Sequence, residues 1–232
     1  MNEPSREQLT RAALAASIDH SVLGPMTTTS DVRRVCEQAL AERFAAVCVN
    51  SSHVMLGVEV LAESGIPLAA TIGFPLGACS HETKIFEAHH ALDCGALELD
   101  MVLALGLLRA GQTRRVSAEV SAIAELCTPF GARLKVILET CYLNPNELST
   151  AIDLACDNGA HFVKTSTGFG SAGATAKDVA LLRRQAPQEV GVKAAGGIRS
   201  LQDATAMLNA GASRLGCSAS MEILDELPTM QR

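Results

Sequence analysis

Three lysines of this chain lie in short apolar runs, where lysine is uncommon. The chain has only five lysines, and these three are Lys135, Lys164 and Lys193. Burying an ammonium group without a partner is costly, so a lysine inside an apolar strand suggests a chemical role. An amine held in a dry pocket loses its proton more easily and can attack a carbonyl carbon. The alternative is a lysine at a strand end whose ammonium group extends to solvent.

Lys164 and Lys193 form the pair with the clearest chemical use. Lys164 lies in a strand that runs into Gly168 and Gly170, and Lys193 lies in the next predicted strand. Because one ammonium group disfavours a second one nearby, the pKa of one of two neighbouring lysines falls. The neutral amine forms a Schiff base with an aldehyde or ketone, and the adjacent carbon can then lose a proton. We expect covalent catalysis at this pair, with Lys164 as the favoured nucleophile.

Asp100 is the carboxylate that could serve these lysines. It lies between Leu99 and Met101, and Glu98 precedes it by two residues on the same strand face. A carboxylate at that depth needs a cation, and it could relay protons directly or through water. The alternative is an ion-pair layer of Glu98, Asp100 and Lys135 that only fills the core.

Two glycine-containing segments predict a phosphate site. Gly196 and Gly197 follow the seventh predicted strand, and Gly216 belongs to the eighth. Backbone N–H groups at the start of the helices that follow can bind a phosphate, and glycine permits close approach of the backbone. The alternative is a pair of ordinary glycine turns.

Eight strand–helix units without a spare linker must position these residues. Strands are expected at 15–20, 45–50, 67–74, 97–102, 133–140, from 161 onward, 190–197 and 214–218. This pattern predicts an α/β fold, a single (β/α)8 TIM barrel over 1–232 with a short N-terminal helical extension at 1–14. A doubly wound sheet would carry a G-x-G-x-x-G motif after its first strand, and none occurs here.

The carboxyl ends of the strands form the active-site mouth of such a barrel. Six predicted strands contribute polar residues there, so their side chains can converge. These residues are Asp19, His20, Asn50, Asp100, Glu139, Lys164, Thr165, Ser166 and Lys193. Thr165, Ser166 and Thr167 are expected to line the mouth after the nucleophile.

Composition argues against several other classes of protein. A net charge of −6 and an aromatic content of 3% disfavour a nucleic-acid partner. No apolar run is long enough to predict a membrane span, and the polar first residues do not resemble a signal peptide. Eight cysteines without C-x-x-C spacing predict reduced thiols in the cytoplasm and no metal site.

Together, these motifs resemble the deoxyribose-phosphate aldolase family, the Schiff-base aldolases of the DeoC type. The resemblance extends over nearly the whole chain. Its two most specific segments are FVKTSTGF at 162–169 and VKAAGGIR at 192–199. Further matching segments are IDH at 18–20, VCVN at 47–50, TIGFPLG at 71–77, ELDMV at 98–102 and KVILET at 135–140.

The resemblance implies reversible cleavage of 2-deoxy-D-ribose 5-phosphate to D-glyceraldehyde 3-phosphate and acetaldehyde, without metal or organic cofactor. It implies Lys164 as the Schiff-base lysine, Lys193 as the lysine that lowers its pKa, and Asp100 as the proton donor and acceptor. The implied phosphate contacts are Gly196, Gly197, Arg199, Gly216 and Ser218. Asp19, Thr165 and Gly168 complete the predicted substrate contacts. The expected partners are a sugar phosphate and aldehydes, and a homodimer is left open.

The chain departs from the family pattern at four positions. Ser21 replaces a threonine, Gly24 a lysine, Ala104 an asparagine and Ala219 the second serine of a pair. The last change removes one hydrogen bond to phosphate, worth roughly 1 kcal/mol. Separately, Cys48 near the mouth is a candidate reactive thiol that could add to an aldehyde product.

Two other functions stay open at this point. One is a different lyase or isomerase that acts on another sugar phosphate in the same barrel. The other is a barrel that binds a sugar phosphate without catalysis, supported only by Ala104 and Ala219. The retained Lys164, Lys193 and Asp100 argue against it, because a binding protein does not need a buried lysine pair.

Overall fold

Eight parallel strands close into a barrel in chain order, so that the first strand pairs with the last. The computed structural model describes residues 9–228. The strands are β1 Ile18–Val22, β2 Ala46–Val49, β3 Leu68–Ile72, β4 Glu98–Val102, β5 Arg133–Ile137, β6 Phe162–Lys164, β7 Gly191–Ala195 and β8 Arg214–Cys217. The predicted (β/α)8 barrel is confirmed.

Helices surround the barrel. They are α1 Arg11–Ala15, α2 Thr29–Glu42, α3 Val54–Leu61, α4 His81–Asp93, α5 Leu105–Arg109, α6 Thr113–Cys127, α7 Pro145–Asp157, α8 Ala176–Gln185, α9 Leu201–Asn209 and α10 Ser220–Asp225. Short 3-10 turns cover Ser51–His53, Thr128–Phe130 and Thr140–Tyr142. The long helical segment after β4 is divided at Gly111, whose φ is 69°.

Several boundaries differ from the sequence prediction. Ala15 was expected to open the first strand but is the last residue of α1. Residues 1–8 of the predicted N-terminal extension lie outside the described part of the chain. β3 ends at Ile72 because Gly73 adopts a φ of 62°, and β5 ends at Ile137 shortly before Glu139 adopts a φ of 50°. Both residues leave the extended conformation that a strand requires.

The strands alternate between an apolar outer face and a charged inner face. The outer face packs against the helices with residues such as Val47, Val49, Leu99, Met101, Leu134, Val136, Val163 and Val192. Since successive side chains of a strand point to opposite faces, the intervening residues point into the barrel. These are Glu98, Asp100, Lys135, Lys164 and Lys193, all buried. The alternation therefore concentrates the charged residues inside the barrel.

No helix in the described residues 9–228 is long and apolar enough to cross a membrane. All eight cysteines are unpaired. Within the same residues, no group of three or more His, Cys, Asp or Glu side chains is arranged to hold a metal ion.

Candidate active site

A layer of charged side chains crosses the interior of the barrel, and we call it the charge layer. It contains three carboxylates and four cationic groups, contributed by six strands. Its members are Asp19, Glu98, Asp100, Lys135, Lys164, Lys193 and Arg214. All except Arg214 are at most 2% exposed. Charges this deep require close partners, and the layer supplies them.

Asp100 is the centre of the charge layer. Its Oδ2 lies 2.7 Å from Nζ of Lys164 and 2.7 Å from Nζ of Lys193, and its Oδ1 lies 2.8 Å from Nζ of Lys135. Burial by itself would raise the pKa of Asp100. The ammonium groups around it, with that of Lys135 first, instead hold the pKa well below its usual value. Asp100 is therefore an ionised carboxylate shared by three amines.

Lys135 forms the lower part of the charge layer. Its Nζ contacts Glu98 and lies 3.4 Å from Asp19 Oδ2, in addition to its bond with Asp100. Arg214 joins the same region, with its guanidinium 2.5 Å from Asp19 Oδ1 and 3.7 Å from Glu98. The alternative interpretation of Lys135 as part of an internal ion-pair layer matches these contacts. Burial opposes its charge, but the carboxylates raise its pKa well above the usual value.

Lys164 differs from the other two lysines of the charge layer. Its pKa is lowered, chiefly by burial and further by the Lys193 ammonium group, against the opposing effect of Asp100. Among the charge-layer carboxylates Lys164 contacts Asp100 alone, whereas Lys193 also contacts Asp19 Oδ2 at 2.5 Å. The carboxylates consequently raise the pKa of Lys193 despite its burial. The sequence argument named both a dry pocket and a neighbouring ammonium group, and burial is the larger of the two causes.

The charge balance of the layer leads to the same lysine. Three carboxylates face four cationic groups, so the layer is neutral when one amine loses its proton. An unbalanced buried charge is costly, and the amine with the fewest carboxylate contacts loses its proton at the lowest cost. That amine is Lys164. The arrangement therefore favours proton loss from Lys164 over the other amines, and the deprotonated amine is the nucleophilic form.

A cavity of about 230 Å³ lies at the carboxyl ends of the strands, next to Lys164. Seven predicted residues line it, and they come from the ends of β6, β7 and β8. They are Lys164, Gly168, Gly196, Gly197, Arg199, Gly216 and Ser218. A carbonyl compound in this cavity can reach the amine of Lys164.

Glycine backbone forms one wall of the cavity and suits an anion. The N–H groups of Gly168, Gly196 and Gly197 have no acceptor in the part of the chain that the structure describes. A side chain could not replace the hydrogen at Gly196, because its Cβ would lie 3.0 Å from the Cα of Gly173 and its φ is 87°. Unpaired N–H groups and the exposed Arg199 favour a phosphate or carboxylate at this wall.

Comparison with known proteins identifies the family to which this chain belongs. The model of the DeoC/LacD family aldolases matches residues 13–223. The chain belongs to that family. The aldolase is 46% identical to the deoxyribose-phosphate aldolase of Thermococcus gammatolerans over 214 residues, which cover 91% of this chain and 95% of the relative. The corresponding relative from Caldanaerobacter subterraneus is 44% identical over 92% of this chain and 93% of its own.

A solved structure supports the same assignment. The deoxyribose phosphate aldolase of Aeropyrum pernix, described as a tetramer, superposes with a TM-score of 0.88 at 36% identity. The match covers 93% of this chain and 91% of that one. An orotidine 5'-phosphate decarboxylase from Pyrococcus horikoshii, 17% identical with a TM-score of 0.62, shares the fold alone. The resemblance inferred from the sequence motifs is thus confirmed.

Some predicted residues lie beneath the cavity and do not line its wall. Asp19 is fully buried in the charge layer of the aldolase. Thr165 links β6 to β7, because its hydroxyl donates to Ala195 O at 3.2 Å and accepts from Ala195 N–H at 3.1 Å. The Ser166 hydroxyl is buried and has no hydrogen-bond partner among residues 9–228. Substrate contacts at Asp19 and Thr165 stay predictions.

Cys48 lies inside the barrel close to the charge layer. Its Sγ is 3.9 Å from Asp100 Oδ2, and its side chain is fully buried. Burial raises the pKa of the thiol to about 11, and the Asp100 carboxylate adds to the effect. A thiolate is therefore scarce at neutral pH, and a thiol is a weaker nucleophile. The predicted reaction of Cys48 with aldehydes stays a hypothesis.

His20 and Asn50 serve the periphery of the site. The His20 ring lies between Ser220 Oγ and Gln38 Oε1, each at 2.9 Å, and burial lowers its pKa. Asn50 donates to Leu23 O at 3.3 Å. Neither side chain joins the charge layer.

Sequence reasoning missed Arg214, the fourth cation of the charge layer. It precedes Gly216 by two residues, so the alternation of β8 places both on the same face. That spacing was a usable signal. Thr167 was expected to line the mouth and does line the cavity. Glu139 was noted as polar without a specific role, and the structure joins the two residues by hydrogen bonds.

Proposed function

We propose that this aldolase cleaves 2-deoxy-D-ribose 5-phosphate to D-glyceraldehyde 3-phosphate and acetaldehyde through a Schiff base on Lys164. One observation carries the proposal: the least paired amine of the charge layer lines a cavity whose other wall offers unpaired backbone N–H groups. The amine suits the carbonyl end of the sugar, and the N–H groups suit its phosphate end.

The reaction begins with the neutral Nζ of Lys164. It attacks the aldehyde carbon of the open-chain sugar, and the carbinolamine loses water to give a protonated imine. A proton then leaves the C3 hydroxyl, the C2–C3 bond breaks, and its electron pair moves toward the imine to form an enamine. The departing fragment is D-glyceraldehyde 3-phosphate. Protonation of the enamine carbon and hydrolysis of the imine release acetaldehyde and the free lysine.

Asp100 and Lys193 move protons in this scheme. Both amines contact the same oxygen of Asp100, so a proton can pass between them directly or through water. The lowered pKa of Asp100 keeps its carboxylate ionised, so that it holds both amines close together, while the raised pKa of Lys193 makes that amine the proton store. This division of roles refines the expectation that Asp100 alone acts as donor and acceptor.

The phosphate group is assigned to the glycine wall. Gly168, Gly196 and Gly197 offer backbone N–H groups, and Arg199 adds a positive charge. Gly216 and Ser218 line the same cavity, while Ala219 provides no hydroxyl. No metal or organic cofactor has a step in this scheme.

The test compares wild type with Lys164→Ala in a coupled assay of deoxyribose 5-phosphate cleavage. Lys177→Ala is the matched control, because Lys177 is an exposed lysine of α8. We expect Lys164→Ala to lose activity by at least about 10³-fold and Lys177→Ala to keep it. Equal activity of wild type and Lys164→Ala removes the central claim.

Borohydride trapping separates the proposed substrate from other sugar phosphates in the same barrel. Only a compound that forms a Schiff base is reduced onto the protein, and mass spectrometry should place the adduct at Lys164. Trapping with another sugar phosphate but not with deoxyribose 5-phosphate favours the rival lyase. Absence of trapping with any aldehyde favours a binding protein without catalysis.

Three broader expectations accompany this proposal. We infer a role in deoxyribose phosphate catabolism and a location in the cytoplasm, which the unpaired state of all eight cysteines supports. A homodimer stays a prediction, and light scattering will measure the mass of the assembly. The same holds for a single domain over 1–232, which limited proteolysis can test.

A further inference from the structure

Glu139 adopts a backbone conformation that glutamate rarely takes. It lies two residues after β5 with φ 50° and ψ 61°, in the left-handed region. This region is strained for a residue with a side chain, and such strain persists only where the surroundings impose it. The conformation therefore directs attention to the contacts of the side chain.

The carboxylate of Glu139 is buried and has Thr167 as its hydrogen-bond partner. The Thr167 N–H donates to Oε1 at 3.1 Å, and the Thr167 hydroxyl donates to Oε2 at 2.5 Å. Glu139 is 2% exposed, and no Lys, Arg or His group of residues 9–228 forms an ion pair with it. A buried carboxylate without a cation is costly. The burial of this carboxylate and the strained backbone of Glu139 both serve the contact between Glu139 and Thr167.

Thr167 links Glu139 to the wall of the cavity. Its Oγ1 accepts the N–H of Phe169 at 3.0 Å, which bridges Gly168. Thr167, Gly168 and Phe169 all line the cavity beside Lys164. The following residue, Gly170, packs so closely that a Cβ there would lie 3.1 Å from Cδ of Glu139. The loop after β6 is thus fixed onto the end of β5.

We infer that Glu139 is a positioning residue that holds the Gly168 N–H in place for the phosphate group of the substrate. Glu139 occupies the N–H and the hydroxyl of Thr167, while the N–H of Gly168 stays unpaired on the cavity wall. The inference rests on the proposed function, because it places a sugar phosphate in this cavity. Its consequence is a preference for phosphorylated over unphosphorylated sugars.

Simple electrostatics predicts the opposite effect of Glu139 on phosphate binding, so the direction of the change in phosphate affinity tests the inference. A nearby negative charge repels a phosphate, and its removal should tighten phosphate binding. A positioning role requires that its removal weakens binding, because the loop loses its anchor.

Glu139→Gly, Glu139→Gln and wild type form the first series. Glycine removes the carboxylate without backbone strain, whereas glutamine keeps an acceptor for the Thr167 N–H. We expect the KM of Glu139→Gly for deoxyribose 5-phosphate to rise about tenfold or more, with a smaller change in kcat. The ratio of kcat/KM for the phosphorylated over the unphosphorylated sugar should fall by a similar factor, and Glu139→Gln should restore most of it.

Calorimetric titration with inorganic phosphate measures the affinity for phosphate without any need for turnover. We expect Glu139→Gly to bind phosphate about tenfold more weakly than wild type. Thr167→Val and Thr167→Ser form a second series if Glu139→Gly fails to fold. Valine lacks the hydroxyl and should weaken phosphate binding, whereas serine should retain it.

Three results overturn the inference: tighter phosphate binding by Glu139→Gly, equal loss of activity toward both sugars, or unchanged phosphate affinity in folded variants. Failure of the proposed function looks different. In that case wild type does not cleave deoxyribose 5-phosphate, while the phosphate titration of wild type against the variants still decides the role of Glu139.

Discussion

Lys164 and Lys193 occupy paired positions on β6 and β7, and both amines lie 2.7 Å from the same oxygen of Asp100. When two amines share one carboxylate oxygen, the positive charge of one lowers the pKa of the other. Lys193 has a second carboxylate in Asp19, so the proton stays on Lys193. The pair thus acquires distinct roles from its surroundings, although the two side chains are chemically identical.

Removing the charge of Lys193 should raise the pKa of Lys164. The Lys193 ammonium lowers that pKa, so Lys193→Met should shift the acid limb of Schiff-base formation upward by about one pH unit or more. Cyanoborohydride trapping of acetaldehyde across a pH series measures the midpoint. Lys193→Arg keeps the positive charge and should shift it less. An unchanged midpoint in Lys193→Met contradicts the assignment.

Removing Lys164 should stabilise the protein while it abolishes activity. Lys164→Met leaves three cations facing three carboxylates and replaces a buried amine with an apolar side chain. We expect the free energy of unfolding to rise by about 1–3 kcal/mol in urea titrations. Lys193→Met is the control and should lower it by about 3 kcal/mol, because Asp19 and Asp100 lose a partner. Destabilisation of Lys164→Met would falsify the charge-balance argument.

The protein should lose stability in acid through the buried carboxylates. The pKa of Asp100 is lowered in the folded state, and so is that of Asp19. The folded state therefore binds fewer protons than the unfolded state, whose aspartate pKa is about 3.9. This stability is complete well above pH 4 and declines as the pH falls below it. Thermal unfolding between pH 7 and pH 3 measures the decline, and a constant melting temperature over that interval contradicts the prediction.

The hypothesis on Cys48 predicts that Cys48→Ser resists inactivation by acetaldehyde. Because burial raises the thiol pKa to about 11, inactivation of wild type should be slow at neutral pH and faster as the pH rises. Residual activity after incubation at several pH values measures the rate. Cys79→Ser is the control, because Cys79 is exposed. Equal aldehyde tolerance in wild type and Cys48→Ser counts against the hypothesis.

The sequence predicted the charge layer as far as strand alternation allows. Each of the three strand lysines follows an apolar residue in a short strand; they are Lys135, Lys164 and Lys193. Because side chains alternate between the two faces of a strand, all three lysine side chains point into the barrel. Strand alternation does not specify the strand register, which places Lys164 beside Lys193.

The contact between Glu139 and Thr167 could not be predicted in the same way. The two residues are 28 positions apart, and each lies just beyond the end of a strand. Strand periodicity ends there, so nothing local indicates where the side chains point. The left-handed backbone of Glu139 also opposes its own intrinsic preference, because tertiary contacts outweigh propensity at this position.

The charge layer draws its members from six of the eight strands, β1 and β4 to β8. The side chains that adjust the acidity of the reactive amine are therefore also the ones that tie neighbouring strands together inside the barrel. The cavity above them is shaped by loops, such as the segment after β1 with Leu23 and Gly24, and the loop after β6. Substitutions in the loops can consequently change which aldehyde is preferred, while the side chains inside the barrel keep the covalent chemistry the same.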